Sequence, residues 1–249
     1  MQSSLEQLLL TGKVLLADGA TGTNYFAMGL TSGEPPEFWI TDHPDRVESL
    51  HQQFVDAGSD IILTNTFGCN RHRLKLHNAQ DRTFELAKGA AQIARKVADA
   101  SPRPVVVAGS VGPTGELFEP LGALTEAEAI DAFAEQIEGL KAGGADVAWI
   151  ETMSAPEEAR AAALAAIRVG MPYVCTMSFD TAGRTMMGIM PNALEEVFAG
   201  IDPQPLAIGA NCGVGASDIV VSVSEMSSFS TPVVSKGNCG VPKFVGTTI

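Results

Sequence analysis

An α/β fold on a parallel sheet is predicted by three features: seven short apolar runs, helical patterns between them, and glycines where the runs close. The runs are Lys13–Ala17, Asp60–Thr64, Pro104–Ala108, Asp146–Ile150, Pro172–Met177, Leu206–Ala210 and Pro232–Ser235. They are β-branched and nearly continuous rather than alternating, which suits strands buried on both faces. Strands that alternate with helices at this rhythm form right-handed βαβ units.

The helical intervals carry their own signals. In 45–57, Val47, Leu50 and Phe54 lie three and four apart on one face. In 125–142, Ile130, Phe133, Ile137 and Leu140 repeat that spacing, and Thr125 with Glu128 makes a capping box. Ser154 with Glu157 predicts a second capping box, opening an alanine-rich helix. A chain of 249 residues, 45% hydrophobic, suits a single barrel of roughly 250 residues or two smaller domains. No Pro/Ser-rich linker divides it, so one domain over residues 1–249 is expected. A closed eight-stranded barrel needs one strand and helix more than the seven runs supply. Either the barrel is incomplete or the natural chain continues.

Composition excludes some partners. A net charge of −13 argues against nucleic acid and anionic membranes, which need clustered Lys and Arg. No membrane-length apolar stretch and no signal-peptide pattern is present, so a cytoplasmic protein is expected. Cys69, Cys175, Cys212 and Cys239 form no CxxC pair and should be reduced thiols there, available for burial or for metal. Oligomeric state is left open.

In parallel α/β folds chemistry gathers at the C-terminal ends of strands. Those positions read Asp18-Gly19-Ala20-Thr21-Gly22-Thr23, Asn65-Thr66-Phe67-Gly68, Gly109-Ser110-Val111-Gly112-Pro113, Glu151-Thr152, Asn211-Cys212-Gly213 and Gly237-Asn238-Cys239-Gly240. Taken singly each has a plain reading: Asp-Gly forms turns, and a lone Cys is a small buried hydrophobe. Neither the Walker A pattern nor GxGxxG is present.

Together, in this order and spacing, DGATGT, NTFG, GSVGP, Glu-Thr and GANCG resemble the homocysteine S-methyltransferase family, from about Val14 to about Thr247. The resemblance implies a (β/α)₈ TIM-type barrel, with the eighth strand apparently absent from this chain, and methyl transfer to the thiol of homocysteine, giving methionine. It implies zinc as cofactor, held by three cysteines. Cys212 matches the first of these, the other two would lie beyond Ile249, and the pattern does not use Cys239. It places the substrate at Asp18, Gly19, Thr66, Glu151 and Asn211, with Asp18 and Glu151 gripping the amino group. No side chain beyond the metal-activated substrate thiolate is implied as catalytic. The partners are then homocysteine and a small methyl donor.

A betaine-like methyl-onium compound is the expected donor, with Trp39 a candidate for that side by cation–π contact. Two alternatives stay open: a homocysteine-binding module of a corrinoid or folate methyl-transfer system, and a non-catalytic barrel without a full metal site.

Overall fold

The computed structural model describes residues 4–240. Six parallel strands lie in sequence order in one curled sheet: β1 (Ile61–Leu63), β2 (Val106–Val111), β3 (Val147–Met153), β4 (Tyr173–Met177), β5 (Ile208–Cys212) and β6 (Val233–Gly237). Helices Thr83–Ala100, Glu126–Ala142, Pro156–Val169, Leu194–Val197 and Ala216–Ser224 lie in the successive crossovers. This is a partial barrel of the expected class. The outermost residues of the expected domain, 1–3 and 241–249, lie outside the described residues, as does the expected strand eight.

The first run is a correction. Lys13–Ala17 forms no strand; it makes one parallel bridge, Ala17 to Ile61. Leu16 O accepts from Asp60 N and Ile61 N, and Asp18 N donates to Ile61 O, so the segment occupies a strand position along β1. Its other side meets no described neighbour: Val14 is 98% exposed and Leu16 54%.

Inside the curl, Ile61, Leu63, Val106, Ala108, Val147, Trp149, Val174 and Ala207 form one apolar cluster, joined by Leu15, Ala17 and Val234. Leu5 and its helix (Leu5–Leu9) pack into the same cluster. A larger cluster lies between sheet and helices, where Phe133, Ile137 and Leu140 are buried as the spacing predicted. The helix Pro44–Asp56 likewise buries Val47 and Leu50. The alanine-rich helix buries Ala159, Ala161, Ala162, Ala163, Ala165 and Ala166, small side chains that let it sit close to its neighbours. At Gly209 a Cβ would lie 2.0 Å from Val234 O, so only glycine lets β5 and β6 approach as they do.

The capping box at Thr125 and Glu128 forms as expected. The one at Ser154 does not. Pro156 occupies the first helical position, which makes Ala155 the N-cap and leaves Ser154 one residue outside the helix. Glu158 turns inward instead, and its Oε1 accepts from Thr114 N at 2.8 Å and Thr114 Oγ1 at 2.6 Å.

Candidate functional site

Successive side chains on a strand point to opposite faces. The residues that fill the curl therefore predict what stands above them at the C-terminal ends. Two residues beyond Ala108, Trp149, Val174 and Val234 stand Ser110, Glu151, Thr176 and Lys236, and Asn211 holds the same level on β5, two beyond Gly209. The lower layers are apolar and this top layer is polar. With Asp18, from the end of the first segment, these side chains form the candidate site.

Asp18 is 5% exposed. Its Oδ2 accepts from Leu63 N at 2.7 Å, while Oδ1 has no hydrogen-bond partner. Lys236 Nζ lies 3.5 Å from that Oδ1. Burial raises the Asp18 carboxyl to about 6 against the pull of Lys236, and the nearby charge of Glu151 adds to the rise. Glu151 is partly buried, and its Oε1 accepts from Ser110 Oγ at 2.5 Å. Desolvation raises its carboxyl as well, opposed by Lys236 and the Ser110 hydrogen bond. Two carboxylates held at some cost around one place, one of their oxygens without a hydrogen bond, form a receptor for a cation.

The backbone is strained nearby. Thr152 (φ 62°) and Cys212 (φ 58°) adopt the left-handed region that non-glycine residues rarely occupy, and the β3–β4 register shifts between Ile150 and Met153. Asn211 ties the two together. Its Oδ1 accepts from Thr152 N at 2.8 Å and Thr176 Oγ1 at 2.7 Å, and its Nδ2 donates to Thr152 Oγ1 at 2.6 Å and Cys212 Sγ at 3.2 Å. Strain of this kind persists only where its surroundings enforce it, which is common at functional sites.

The structure thus brings Asp18, Glu151, Asn211 and Cys212 to one end of the sheet, though in different roles. The Asn211 side chain spends its hydrogen bonds on protein, so it positions Cys212 and Thr152. Thr66 is fully buried. Its Oγ1 donates to Ser110 O at 2.7 Å, and Gln136 Nε2 donates to Thr66 O at 2.7 Å, so it braces the strand tops from behind. At Gly19 a Cβ would come within 3.1 Å of the Phe54 ring, a tight contact that would require the ring to give way.

Trp39 is 1% exposed, packed 5.2 Å from Tyr25 and 5.2 Å from His43 between ring centroids, with the Arg46 guanidinium 4.8 Å over its ring. It has no free face for a donor; the apolar neighbours Leu50 and Val47 make it core. Sequence reading missed Ser110, Thr176 and Lys236 as site residues. The alternation from Ala108, Val174 and Val234 was the signal that could have found them.

For metal, the donors present are few. Among the described residues no three of His, Cys, Asp and Glu gather as a metal site. Cys69 and Cys175 are buried, where desolvation pushes their thiols up, and Cys239 is exposed. Cys212 alone faces this end in partial burial, and one thiolate does not satisfy a tetrahedral zinc. The described residues do not by themselves fit a resident zinc.

Comparison with known proteins bears on the family and on the fold. A family model described as homocysteine S-methyltransferase matches residues 15–248. A methionine synthase of Mycobacterium tuberculosis is 32% identical across 94% of this chain, which spans 21% of that protein. A methionine synthase of Mycobacterium leprae is 29% identical across 94% of the chain, 20% of its own length. The chain therefore spans about a fifth of the length of these curated relatives. The metallated form of the homocysteine methyltransferase MmuM from Escherichia coli superposes with a TM-score of 0.82 at 20% identity, covering 94% of this chain and 87% of that one.

Proposed function

Because the chain belongs to the homocysteine S-methyltransferase family, we propose that the polar cluster at the strand tops binds homocysteine and that a methyl group is transferred there to its sulfur, giving methionine. The observation that carries this reading is the pair of buried carboxylates, Asp18 and Glu151, facing one place at the end of the sheet where Cys212 also stands. An amino acid's ammonium is the natural occupant between them. Residues 1–249 are read as one barrel-type unit, part of a (β/α)₈ arrangement.

The reaction forms a bond between sulfur and the methyl carbon and breaks the bond from that carbon to its carrier, which departs with the electron pair. The thiol proton goes to solvent, because the thiolate is the nucleophile and an ordinary thiol titrates near ~8.5. The protein's part is to anchor the amino acid by its ammonium and to hold the sulfur toward the donor in line. Cys212 would be one ligand of a metal at this end, and the described residues supply no complete ligand set with it. In the family resemblance that metal is zinc, which when bound would supply the charge that favours a thiolate over a thiol.

A small methyl-onium donor is the first reading of the methyl source. The chain matches 87% of the length of the E. coli structure, so a unit of this size is comparable to that whole chain. The second reading, a homocysteine-binding module within a larger methyl-transfer protein, is favoured by the methionine synthases, of which the chain matches about a fifth. Incubating the zinc-supplemented protein with homocysteine and, separately, glycine betaine, a methylsulfonium compound and methylcobalamin separates them by which mixture yields methionine. Methionine from none of the three, together with no measurable homocysteine binding, would sink both readings.

The raised Asp18 carboxyl adds a pH prediction. Only its ionised form attracts an ammonium, and in the free protein it takes up a proton below about 6. Homocysteine affinity should therefore be steady near pH 7.5 and fall as pH drops through 6, by up to ~10-fold per unit. The same rise above the ordinary value of 3.8 means that this group favours the folded state most below 3.8, with the benefit lost as pH climbs through about 6. Calorimetric dissociation constants from pH 7.5 to 5 check the binding claim. A flat profile would show that Asp18 does not carry the ammonium.

A further inference from the structure

We propose that Lys236 is the anion-binding end of the same cluster and takes the α-carboxylate of homocysteine while Asp18 and Glu151 face its ammonium. This rests on the reading above that the cluster binds homocysteine.

The argument begins with placement. Lys236 is paired with Asn211 across β5 and β6 and stands two residues above Val234, whose side chain joins the inner cluster. It is thus in the top layer and directed to the inside of the curl, a costly place for an ammonium unless something there needs it. Its Nζ lies 3.5 Å from Asp18 Oδ1, an ion-pair separation longer than an ordinary hydrogen bond. The Lys236 side chain keeps 22% of its surface exposed, against 1% for Asp18. Its donors are therefore not consumed by Asp18.

Charge balance gives this cation a purpose. Homocysteine at neutral pH is a zwitterion. A pocket holding only Asp18 and Glu151 would attract its ammonium and repel its carboxylate. Lys236 is the cation, among the described residues, whose charge acts on both carboxylates, and it stands 3.5 Å from one of them. A compact ammonium on a flexible four-carbon stem can shift from Asp18 toward an arriving carboxylate as the substrate ammonium replaces it. The same cation keeps the empty pocket from holding two uncompensated buried charges.

The test compares homocysteine with its decarboxylated analogue, 3-aminopropane-1-thiol, by calorimetry on the native chain, Lys236→Met and Lys236→Arg. The native chain should prefer homocysteine by about 10- to 100-fold, the range of a charge-assisted contact. In Lys236→Met that preference should collapse toward equality. Homocysteine should weaken, while the analogue, which carries only an ammonium, should bind as well or tighter in the more negative pocket. Lys236→Arg should keep most of the preference.

A preference retained by Lys236→Met, or an equal loss for both compounds, would overturn the proposal and leave the homocysteine reading standing. So would a native chain that binds homocysteine without discriminating. A native chain that binds neither compound would sink the homocysteine reading itself. Matching thermal melts for the three proteins would show that the differences lie in the pocket.

Discussion

Glu151→Ala is expected to weaken homocysteine binding by about 10- to 150-fold, the equivalent of ~1.5–3 kcal/mol for a lost charge-assisted hydrogen bond. The fold should survive. Within the protein Glu151 serves Ser110 Oγ, a hydroxyl that can rotate to another acceptor, and its own carboxyl is raised by desolvation. Removing a desolvated carboxylate relieves a cost of folding even as it removes the receptor for a cation. Glu151→Gln gives the finer comparison: it keeps an acceptor for Ser110 but no charge, so it should share most of the loss. Titration calorimetry on both variants decides the matter. An unchanged dissociation constant would show that Asp18 alone holds the ammonium.

Trp39→Ala should act on stability and leave the chemistry of the folded protein alone. Emptying the space of a fully buried tryptophan costs about 3–5 kcal/mol. For a chain of this size that corresponds to a Tm lower by about 6–20 °C. The loss is a large share of the total stability of an ordinary domain. Tyr25 and Leu50 would lose their packing partner, and the Arg46 guanidinium would lose the ring beneath it. Thermal denaturation with donor kinetics at a low temperature separates the outcomes. A nearly unchanged Tm with a raised donor KM would return Trp39 to the donor side.

Trp39 also shows where reading a sequence misleads. A tryptophan beside prolines looks equally like a surface aromatic and a core one, because the choice depends on what lies opposite. Here Tyr25 lies opposite, from a segment whose approach no local pattern records, while His43 packs on the ring from the end of the same helical turn. Several strands outlast their apolar runs, whereas β1 ends one residue before its run does and β4 ends with its run. The apolar runs near β2, β3 and β5 stop at Ala108, Ile150 and Ala210, whereas the strands continue to Val111, Met153 and Cys212. Backbone hydrogen bonding extends past the last hydrophobic residue, so Ser110, Glu151 and Asn211 belong to strand tops rather than to loops. Extending the alternation two residues from Val234 would likewise have reached Lys236.

What the sequence determined by itself was the order of parallel strands, the helices between them and the end of the sheet where the site lies. The causes of all three are local: continuous apolar runs, helical spacing with a real cap at Thr125, and glycine at the turns. Asp18, Glu151 and Cys212 stood at strand ends, which converge in any parallel sheet of this kind, but only the ordered motifs that resemble the family gave them roles. Tertiary structure alone decided that Asn211 and Thr66 brace the site, that Trp39 is core, and that Lys236 stands beside Asp18. Each of those depends on a distance between segments far apart in the chain. Such distances are set by how the curled sheet and its helices pack together, which leaves no mark on the spacing of residues along any one segment.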